Sequence, residues 1–229
     1  SDTFGVTSLE LLSNYTTPED ILALDTEKLC EILSKASRGR FSQEKALEIK
    51  KTAQNSFSAL LCTDSISFML KQFVEQIRFL EGQLRDLNAM ISERLAEFNT
   101  LITSITGIGD ILGAAILSEI GDINRFETPE KLAAFTGIDP TVKQSGQFFG
   151  THARMSKRGS PYLRRAIWLA ASMAIQHDPA LKAFYDRKKA QGKHHYTCVG
   201  YICRKLINII FAVLKSNQPY QPVFPKDLP

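Results

Sequence analysis

The sequence has few cysteines and no long apolar run. Its four cysteines, Cys30, Cys62, Cys198 and Cys203, show no Cys-x-x-Cys spacing, which favours free thiols in a reducing cytoplasm over a disulfide framework. No uninterrupted apolar run approaches the ~20 residues that span a bilayer. Hydrophobic residues make up 44% and charged residues 23% of the chain, a composition that is typical of a globular protein and excludes global disorder.

The first residues contain neither an initiator methionine nor a signal or transit peptide. This start suggests that the sequence begins inside a longer protein. Its 229 residues are enough for one large domain or two modest ones, each with a buried core.

Acidic residues are absent between Asp139 and Asp178. Residues 1–139 contain 13 Lys and Arg against 21 Asp and Glu, a net charge of −8, whereas residues 140–229 contain 15 against 3, a net charge of +12. A basic block of this kind predicts a polyanion-binding surface. The alternative is a basic solvated face that binds no ligand.

Residues 1–63 are predicted to form short helices, beginning with Thr17 as N-cap and Pro18 at the first helical position. Residues 64–104 are predicted to form one coiled-coil helix, because apolar residues recur at steps of three and four for about five heptads. Such a helix is ~58 Å long and needs a partner, so we expect a homodimer. The apolar positions are Ile66, Met69, Phe73, Ile77, Leu80, Leu84, Leu87, Ile91, Leu95, Phe98 and Leu101.

A helix-hairpin-helix motif is predicted over residues 105–117. Gly107 and Gly109 permit a tight turn, and backbone N–H groups at the following helix N-terminus can bind a phosphate. The small residues that follow allow the two helices to pack closely. The alternative is a helical turn that only packs.

Residues 105–229 are predicted to form the C-terminal domain, with further helices after Pro129, Pro161 and Pro179 and a last helix near 196–215. Glycines and β-branched residues over 138–158 predict a small two-stranded ribbon. The expected fold is therefore mainly α, with domains at 1–63, 64–104 and 105–229.

Basic and hydroxyl residues concentrate between positions 141 and 165, a mixture that suits a phosphodiester. Ser145 precedes Gly146 in an open turn and is the candidate nucleophile, although Ser-Gly is also a common turn. Ser156 is the reserve candidate, and Ser160 is explained by helix capping. The candidate phosphate-binding cations are Lys143, Arg154, Lys157, Arg158, Arg164 and Arg165.

Six motifs occur in an order that closely resembles the C-terminal domain of the insertion-sequence one-ten family of transposases, also called bridge-RNA-guided serine recombinases. The motifs are Thr-Gly-Ile-Gly at 106–109, Ile-Gly-Asp-Ile at 108–111, Phe-Thr-Gly-Ile-Asp-Pro at 135–140, Gln-Ser-Gly at 144–146, Ser-Lys-Arg-Gly-Ser-Pro-Tyr-Leu-Arg-Arg-Ala at 156–166 and Arg-Lys-Leu-Ile at 204–207. The resemblance covers about residues 101–220, and the preceding helices resemble the family's middle region.

This resemblance implies that Ser145 forms a covalent phosphoserine link to DNA during strand exchange. It also implies a separate N-terminal nuclease-like domain with a metal-binding acidic tetrad, a composite site across subunits, and a guide RNA. We expect divalent metal in that other domain and none in this chain. The chain alone should then bind DNA without cutting it, in the bacterial cytoplasm.

Three other hypotheses are open. His194, His195, Cys198 and Cys203 could form a zinc site, but Cys203 lies off the helix face that His194 and Cys198 share. The chain could be a non-catalytic DNA-binding and dimerisation module. It could also be a coiled-coil adaptor without nucleic-acid affinity, which the charge of its basic half disfavours.

Overall fold

The computed structural model describes residues 4–57, 63–140, 144–145, 148–149 and 155–222. The described chain is mainly helical, as predicted, and forms two compact units, Ser1–Asp86 and Leu87–Pro229. The α-helices are α1 (Val6–Asn14), α2 (Pro18–Ala23), α3 (Thr26–Ser37), α4 (Gln43–Gln54), α5 (Thr63–Glu97), α6 (Asp110–Ile120), α7 (Pro129–Thr136), α8 (Pro161–His177), α9 (Pro179–Ala190) and α10 (His195–Ser216).

The first unit is a small helical cluster built on α3. Leu29 and Leu33, four residues apart on α3, are fully buried with Ala46 of α4, as helical periodicity requires. Thr17 and Asp20 form a capping box at the start of α2, so the predicted N-cap is confirmed. The short helices expected in this region are therefore present.

Helix α5 is the longest element, with 35 residues and a length of ~52 Å. It ends at Glu97, seven residues before the predicted end at 104, because Asn99 adopts a left-handed conformation with φ 46° that terminates a helix. A single turn of 3-10 helix, Ile102–Ser104, follows. Among the described residues of α5, only Val74 and Leu95 are buried.

The second unit has one continuous core in which α8 lies between α6 and α10. Helix α10 is apolar and long enough to cross a membrane by composition alone. In this fold it is a core helix, since eight of its residues are buried against the rest of the unit. They are Cys198, Val199, Ile202, Cys203, Leu206, Ile207, Ile210 and Val213.

Three helices of this unit begin where the sequence predicts, each with proline in its first turn. Thr128, Ser160 and Asp178 act as N-caps. Asp178 is buried, and its carboxylate accepts hydrogen bonds from the backbone N–H groups of Ala180 and Leu181 and from the Tyr220 hydroxyl, all at 2.9 Å. A buried carboxylate needs this number of donors.

The helix-hairpin-helix expectation is not confirmed. The segment before the Gly107 turn is the 3-10 turn Ile102–Ser104, not an α-helix, and the helix after it, α6, packs mainly against α8. The turn itself is present, with Gly107 at φ 92°.

The predicted ribbon is present as two short antiparallel strands, β1 (Gln144–Ser145) and β2 (Phe148–Phe149), with Ser145 opposite Phe148. A further bridge joins Pro140 to Met155. The side chains between positions 141 and 154 lie outside the described residues.

Candidate nucleic-acid interface

The two chain segments that lead into and out of the ribbon are joined at the end of α7. Gly137 ends this helix at φ 69°, and a Cβ on Gly159 would overlap the carbonyl oxygen of Phe135 and lie 2.6 Å from the nitrogen of Gly137. The backbone N–H of Ser160 donates to the Phe135 carbonyl at 2.9 Å, and that of Lys157 donates to the Gly137 carbonyl at 3.0 Å. Close backbone approach therefore requires glycine at position 159.

This junction fixes the start of α8 and the cations around it. The hydroxyl of Ser160 accepts a hydrogen bond from the Leu163 N–H at 3.1 Å and donates one to Oε2 of Glu119 at 2.6 Å, so the predicted capping role is confirmed. Lys157 adopts φ 55°, and Lys157 and Arg158 are both exposed immediately before the helix.

A cleft of ≈ 1140 Å³ lies beside this junction, with α8 and α10 contributing most of its lining. Two classes of side chain line it: the cations Lys157, Arg164, Arg165 and Arg204, and the aromatic residues Trp168, Tyr196 and Tyr201. The rings of Trp168 and Tyr196 lie 6.2 Å apart between centroids and are tilted by 35°. The structure thus brings three predicted cations together with aromatic residues from two helices.

The positive charges of the four cleft cations are not neutralised by ion pairs with acidic side chains in the described part of the chain. Within the described part of the chain, none of the four forms a salt bridge. Arg164 donates from Nη1 to the Thr136 carbonyl at 3.1 Å, which orients the guanidinium without neutralising its charge. Such cations are available to an anionic ligand.

Two acidic residues also line the cleft, Glu130 and Asp139. Hydrogen bonds from the backbone N–H of Glu130 and from the Thr128 side chain lower the pKa of the Glu130 carboxyl, and the charge of Arg204 acts in the same direction. The carboxylate of Asp139 accepts a 2.6 Å hydrogen bond from the Ser156 hydroxyl. With four cations and two acids, the lining is positive overall.

The two candidate serines lie at different places in the ribbon. Ser145 is in β1, while Ser156 is at the base of the loop, with its hydroxyl bound to Asp139 and its backbone N–H bound to the Asp139 carbonyl. Lys143 and Arg154, both predicted phosphate ligands, lie outside the described residues. Arg158 is exposed but does not line the cleft.

The two glycines predicted to bind phosphate differ in their surroundings. A Cβ on Gly107 would lie 2.6 Å from the Ala170 carbonyl oxygen and 2.8 Å from the Ala174 nitrogen, so packing against α8 explains this glycine. Gly109 is exposed, and a Cβ on this residue would have no other atom within 4 Å. Neither glycine lines the cleft, and their phosphate-binding role stays a prediction.

Sequence reasoning missed Arg204 and the three aromatic residues as site residues. Arg204 occurs in the Arg-Lys-Leu-Ile motif, and it lies four residues after Gly200 and eight after Tyr196. This spacing places all three on one face of α10. The signal was therefore present, but only the packing of α10 against α8 shows that this face meets Arg164 and Trp168.

The histidine and cysteine residues near α10 have separate roles in the structure. His194 caps α10, and Nδ1 of His195 lies 2.7 Å from the Tyr185 hydroxyl oxygen. Cys198 and Cys203 are fully buried, and burial raises the pKa of the Cys203 thiol to about 12. Within the described ranges, no group of three or more His, Cys, Asp or Glu side chains is arranged to hold one metal ion.

Comparison with known proteins connects this region to DNA transposition proteins. Residues 99–186 match the family model "Transposase IS116/IS110/IS902 family". The chain is 28% identical over 218 residues to a 42 kDa protein of insertion element IS900 of Mycobacterium paratuberculosis, an alignment that covers 94% of this chain and 54% of that protein.

Two other relatives give a consistent result. A 43.6 kDa protein of insertion element IS110 of Streptomyces coelicolor is 28% identical over 94% of this chain and 53% of its own length. The pilin gene-inverting protein of Moraxella bovis is 27% identical over 69% of this chain and 51% of its own length. The chain spans about half the length of these relatives. The segment that matches the family model, residues 99–186, contains the ribbon and the whole of α8.

Proposed function

We propose that this chain is the DNA-binding and serine-bearing part of a transposase that cuts and rejoins DNA in the bacterial cytoplasm. The observation that supports this proposal most is the cation-lined cleft at the ends of the loop that carries Ser145, because most of its lining lies within the segment that matches the transposase family. The pilin gene-inverting relative favours a protein that rearranges DNA segments.

The proposed chemical step is attack of Ser145 Oγ on a DNA phosphorus atom. A serine–phosphate ester bond forms, one bond from phosphorus to a deoxyribose oxygen breaks, the serine proton is lost to a base, and the released sugar oxygen takes up a proton. Attack by a DNA hydroxyl on the phosphoserine then reverses these changes and joins the strand to a new end. The number of phosphodiester bonds is conserved, so no external energy source is needed.

Cations near the ribbon suit this chemistry because negative charge increases on the phosphate oxygens as the new bond forms. Arg164 and Arg165 near the start of α8 and Lys157 before it are the described candidates for this role. The family resemblance implies that a divalent metal ion, held by a nuclease-like domain, supplies further charge neutralisation.

A homodimer through residues 64–104 is part of the proposal. The apolar stripe predicted for α5 is exposed in the isolated chain, with Ile66, Phe73, Leu80 and Leu84 each between 43% and 57% accessible. An exposed apolar surface of this length marks an interaction site, and a repeat at steps of three and four fits a second copy of the same helix. In the full-length protein we expect a guide RNA as a further partner.

The test is recombination of a plasmid substrate by the full-length protein with Ser145→Ala. We expect no recombination and no covalent protein–DNA adduct, with DNA binding retained. Ser156→Ala is the matched control, since it removes a hydroxyl from the same loop and should retain adduct formation. Normal strand exchange by Ser145→Ala would exclude the proposed nucleophile. DNA binding without an adduct from any variant, wild type included, would instead support a non-catalytic binding module.

A further inference from the structure

We propose that the cleft of α8 and α10 holds an unpaired nucleotide, with the base stacked on Trp168 or Tyr196 and the phosphates bound by Arg164, Arg165 and Arg204. The inference rests on the proposed function and specifies its ligand: single-stranded nucleic acid. It assigns base stacking to aromatic residues of the cleft, which phosphate binding alone does not require, and phosphate binding to Arg204.

The aromatic side chains of the cleft have more exposed surface than packing explains. Tyr196 is 65% and Tyr201 41% accessible, and Trp168 is half-buried with its ring open to the cleft. Aromatic residues next to cations are the combination that binds single strands, because every base has a face that can stack. In a duplex those faces are covered by neighbouring bases, so a stacked ligand must be unpaired.

Gly200 leaves the space that a base needs. It lies within α10 and lines the cleft, and apart from its chain neighbours and the nearby backbone of its own helix no atom lies within 4 Å of the position that its Cβ would occupy. Glycine inside a helix costs about 1 kcal/mol relative to alanine. Here packing gives no reason for glycine, and a larger side chain at this position would enter the cleft between Tyr196 and Arg204.

Each wall of the cleft pairs an aromatic residue with cations. On α8, Arg164 precedes Trp168 by four residues, and on α10 Arg204 follows Tyr201 by three. Residues three or four apart lie on one helix face, so each wall presents a ring and, one turn away, a guanidinium. A nucleotide has the matching parts, a flat base that can stack on the ring and a phosphate that can bind the guanidinium.

Trp168 makes this inference directly measurable because it is the only tryptophan of the chain. The probe is an oligothymidylate of about 12 nucleotides, within the range that one single-strand-binding fold covers. We expect it to quench Trp168 fluorescence. An oligomer of equal length and charge without bases should bind more weakly and leave the fluorescence unchanged. Oligouridylate provides the second arm: stronger quenching by it assigns the cleft to an RNA strand, and stronger quenching by oligothymidylate assigns it to a DNA strand.

Two variants test the geometry by fluorescence anisotropy of a labelled oligothymidylate. Trp168→Leu should weaken binding by roughly 5- to 150-fold, the equivalent of ~1–3 kcal/mol per stacked base. Gly200→Leu keeps every cation and ring but places a side chain in the cleft between Tyr196 and Arg204, and should weaken binding to a similar degree while preserving the helix. Tyr162→Leu is the matched control, since Tyr162 is 75% exposed on α8 and does not line the cleft.

The outcomes separate this inference from the proposed function. Equal quenching by the abasic oligomer, or unchanged affinity in folded Gly200→Leu, overturns the stacking site even if Ser145-dependent recombination proceeds normally. Base-dependent quenching in a protein that forms no serine adduct supports the stacking site and removes the proposed nucleophile. Circular dichroism of each variant establishes that it is folded before its affinity is interpreted.

Discussion

The hydroxyl of Ser156 donates a 2.6 Å hydrogen bond to Oδ1 of Asp139, and the backbone N–H of the same serine donates to the Asp139 carbonyl at 2.9 Å. The two residues lie 17 positions apart, at either end of the loop that contains Ser145. They therefore close the base of that loop. This relationship gives Ser156 a structural role, because its hydroxyl proton is already directed at a carboxylate.

Ser156→Ala should lower the stability of the second unit by about 1 kcal/mol, since it removes one half-buried hydrogen bond to a charged acceptor. Recombination by the full-length protein should continue at a reduced rate, because Ser145 is unchanged and only the loop base is weakened. Urea denaturation followed by Trp168 fluorescence measures the first effect and a plasmid assay the second. Complete loss of adduct formation in a folded Ser156→Ala protein would make Ser156 the nucleophile.

Gly159→Ala should destabilise the second unit by more than about 3 kcal/mol, the range of severe backbone conflicts. The added Cβ would overlap the Phe135 carbonyl oxygen and separate the two segments at the end of α7. Thermal unfolding measured by circular dichroism checks this expectation. Gly109→Ala is the control, because its φ of −87° suits alanine and no atom lies within 4 Å. Similar melting temperatures for the two variants would contradict the close contact.

Much of the fold could be predicted because it depends on local signals. Proline after Thr128, Ser160 and Asp178 marks three helix starts, and apolar spacing marks α5. The predicted end of α5 was wrong by seven residues, because the apolar pattern continues to Leu101 whereas the backbone of Asn99 adopts a left-handed conformation. The spacing of apolar residues contains no information about the φ angle of a single residue.

The candidate site could be predicted only in part, for a similar reason. The acid-free stretch and the motif order indicate Lys157, Arg164 and Arg165, which are close in sequence. Arg204 and Tyr196 are some 30 to 40 positions further on and come to the cleft only because α10 packs on α8. Gly107 shows what the sequence does not reveal, since its close contact with the backbone of α8 at Ala170 and Ala174 appears only in the fold.

The stability of the second unit should fall as the pH rises above about 9. Burial raises the pKa of Cys203 from 9.0 to about 12, so the folded protein keeps a thiol proton that the unfolded chain loses. This contribution to the free energy of unfolding is complete below pH 9. It decreases by at most ~1.4 kcal/mol per pH unit as the pH rises from 9 towards about 12. Burial, the hydrogen bond to Asp178 and the charge of that carboxylate also raise the pKa of Tyr220. This shift likewise lowers the stability as the pH rises.

Urea denaturation followed by Trp168 fluorescence between pH 8 and pH 11 measures this dependence on the part of the chain that contains Cys203. The Cys203→Ala variant should be less stable at pH 8 but should lose stability less steeply with rising pH. Cys30→Ala, at a partly buried position that packs against the core of the first unit, serves as the control and should retain the wild-type slope. Equal slopes in all three proteins would show that the Cys203 thiol does not contribute.

Dimerisation through α5 should depend on its exposed apolar stripe. The double variant Leu80→Glu, Leu84→Glu places charges at positions that are 56% and 57% accessible in the isolated chain and that a second copy would bury. Burial of a leucine stabilises by ~1.5–3 kcal/mol, so the dissociation constant should rise by at least roughly 100-fold. Sedimentation velocity over a concentration series measures the change.

The matched control is Gln72→Glu, Ala89→Glu, which adds the same charge to exposed positions of α5 outside the stripe and should leave the dimer intact. Equal dissociation by both double variants would indicate charge repulsion rather than loss of the apolar contact. A wild-type chain that stays monomeric at all concentrations would exclude the α5 dimer. Because the cleft lies in the second unit, the monomeric stripe variant should still bind oligothymidylate. Loss of recombination together with retained strand binding would then assign α5 to assembly and the cleft to nucleic-acid contact.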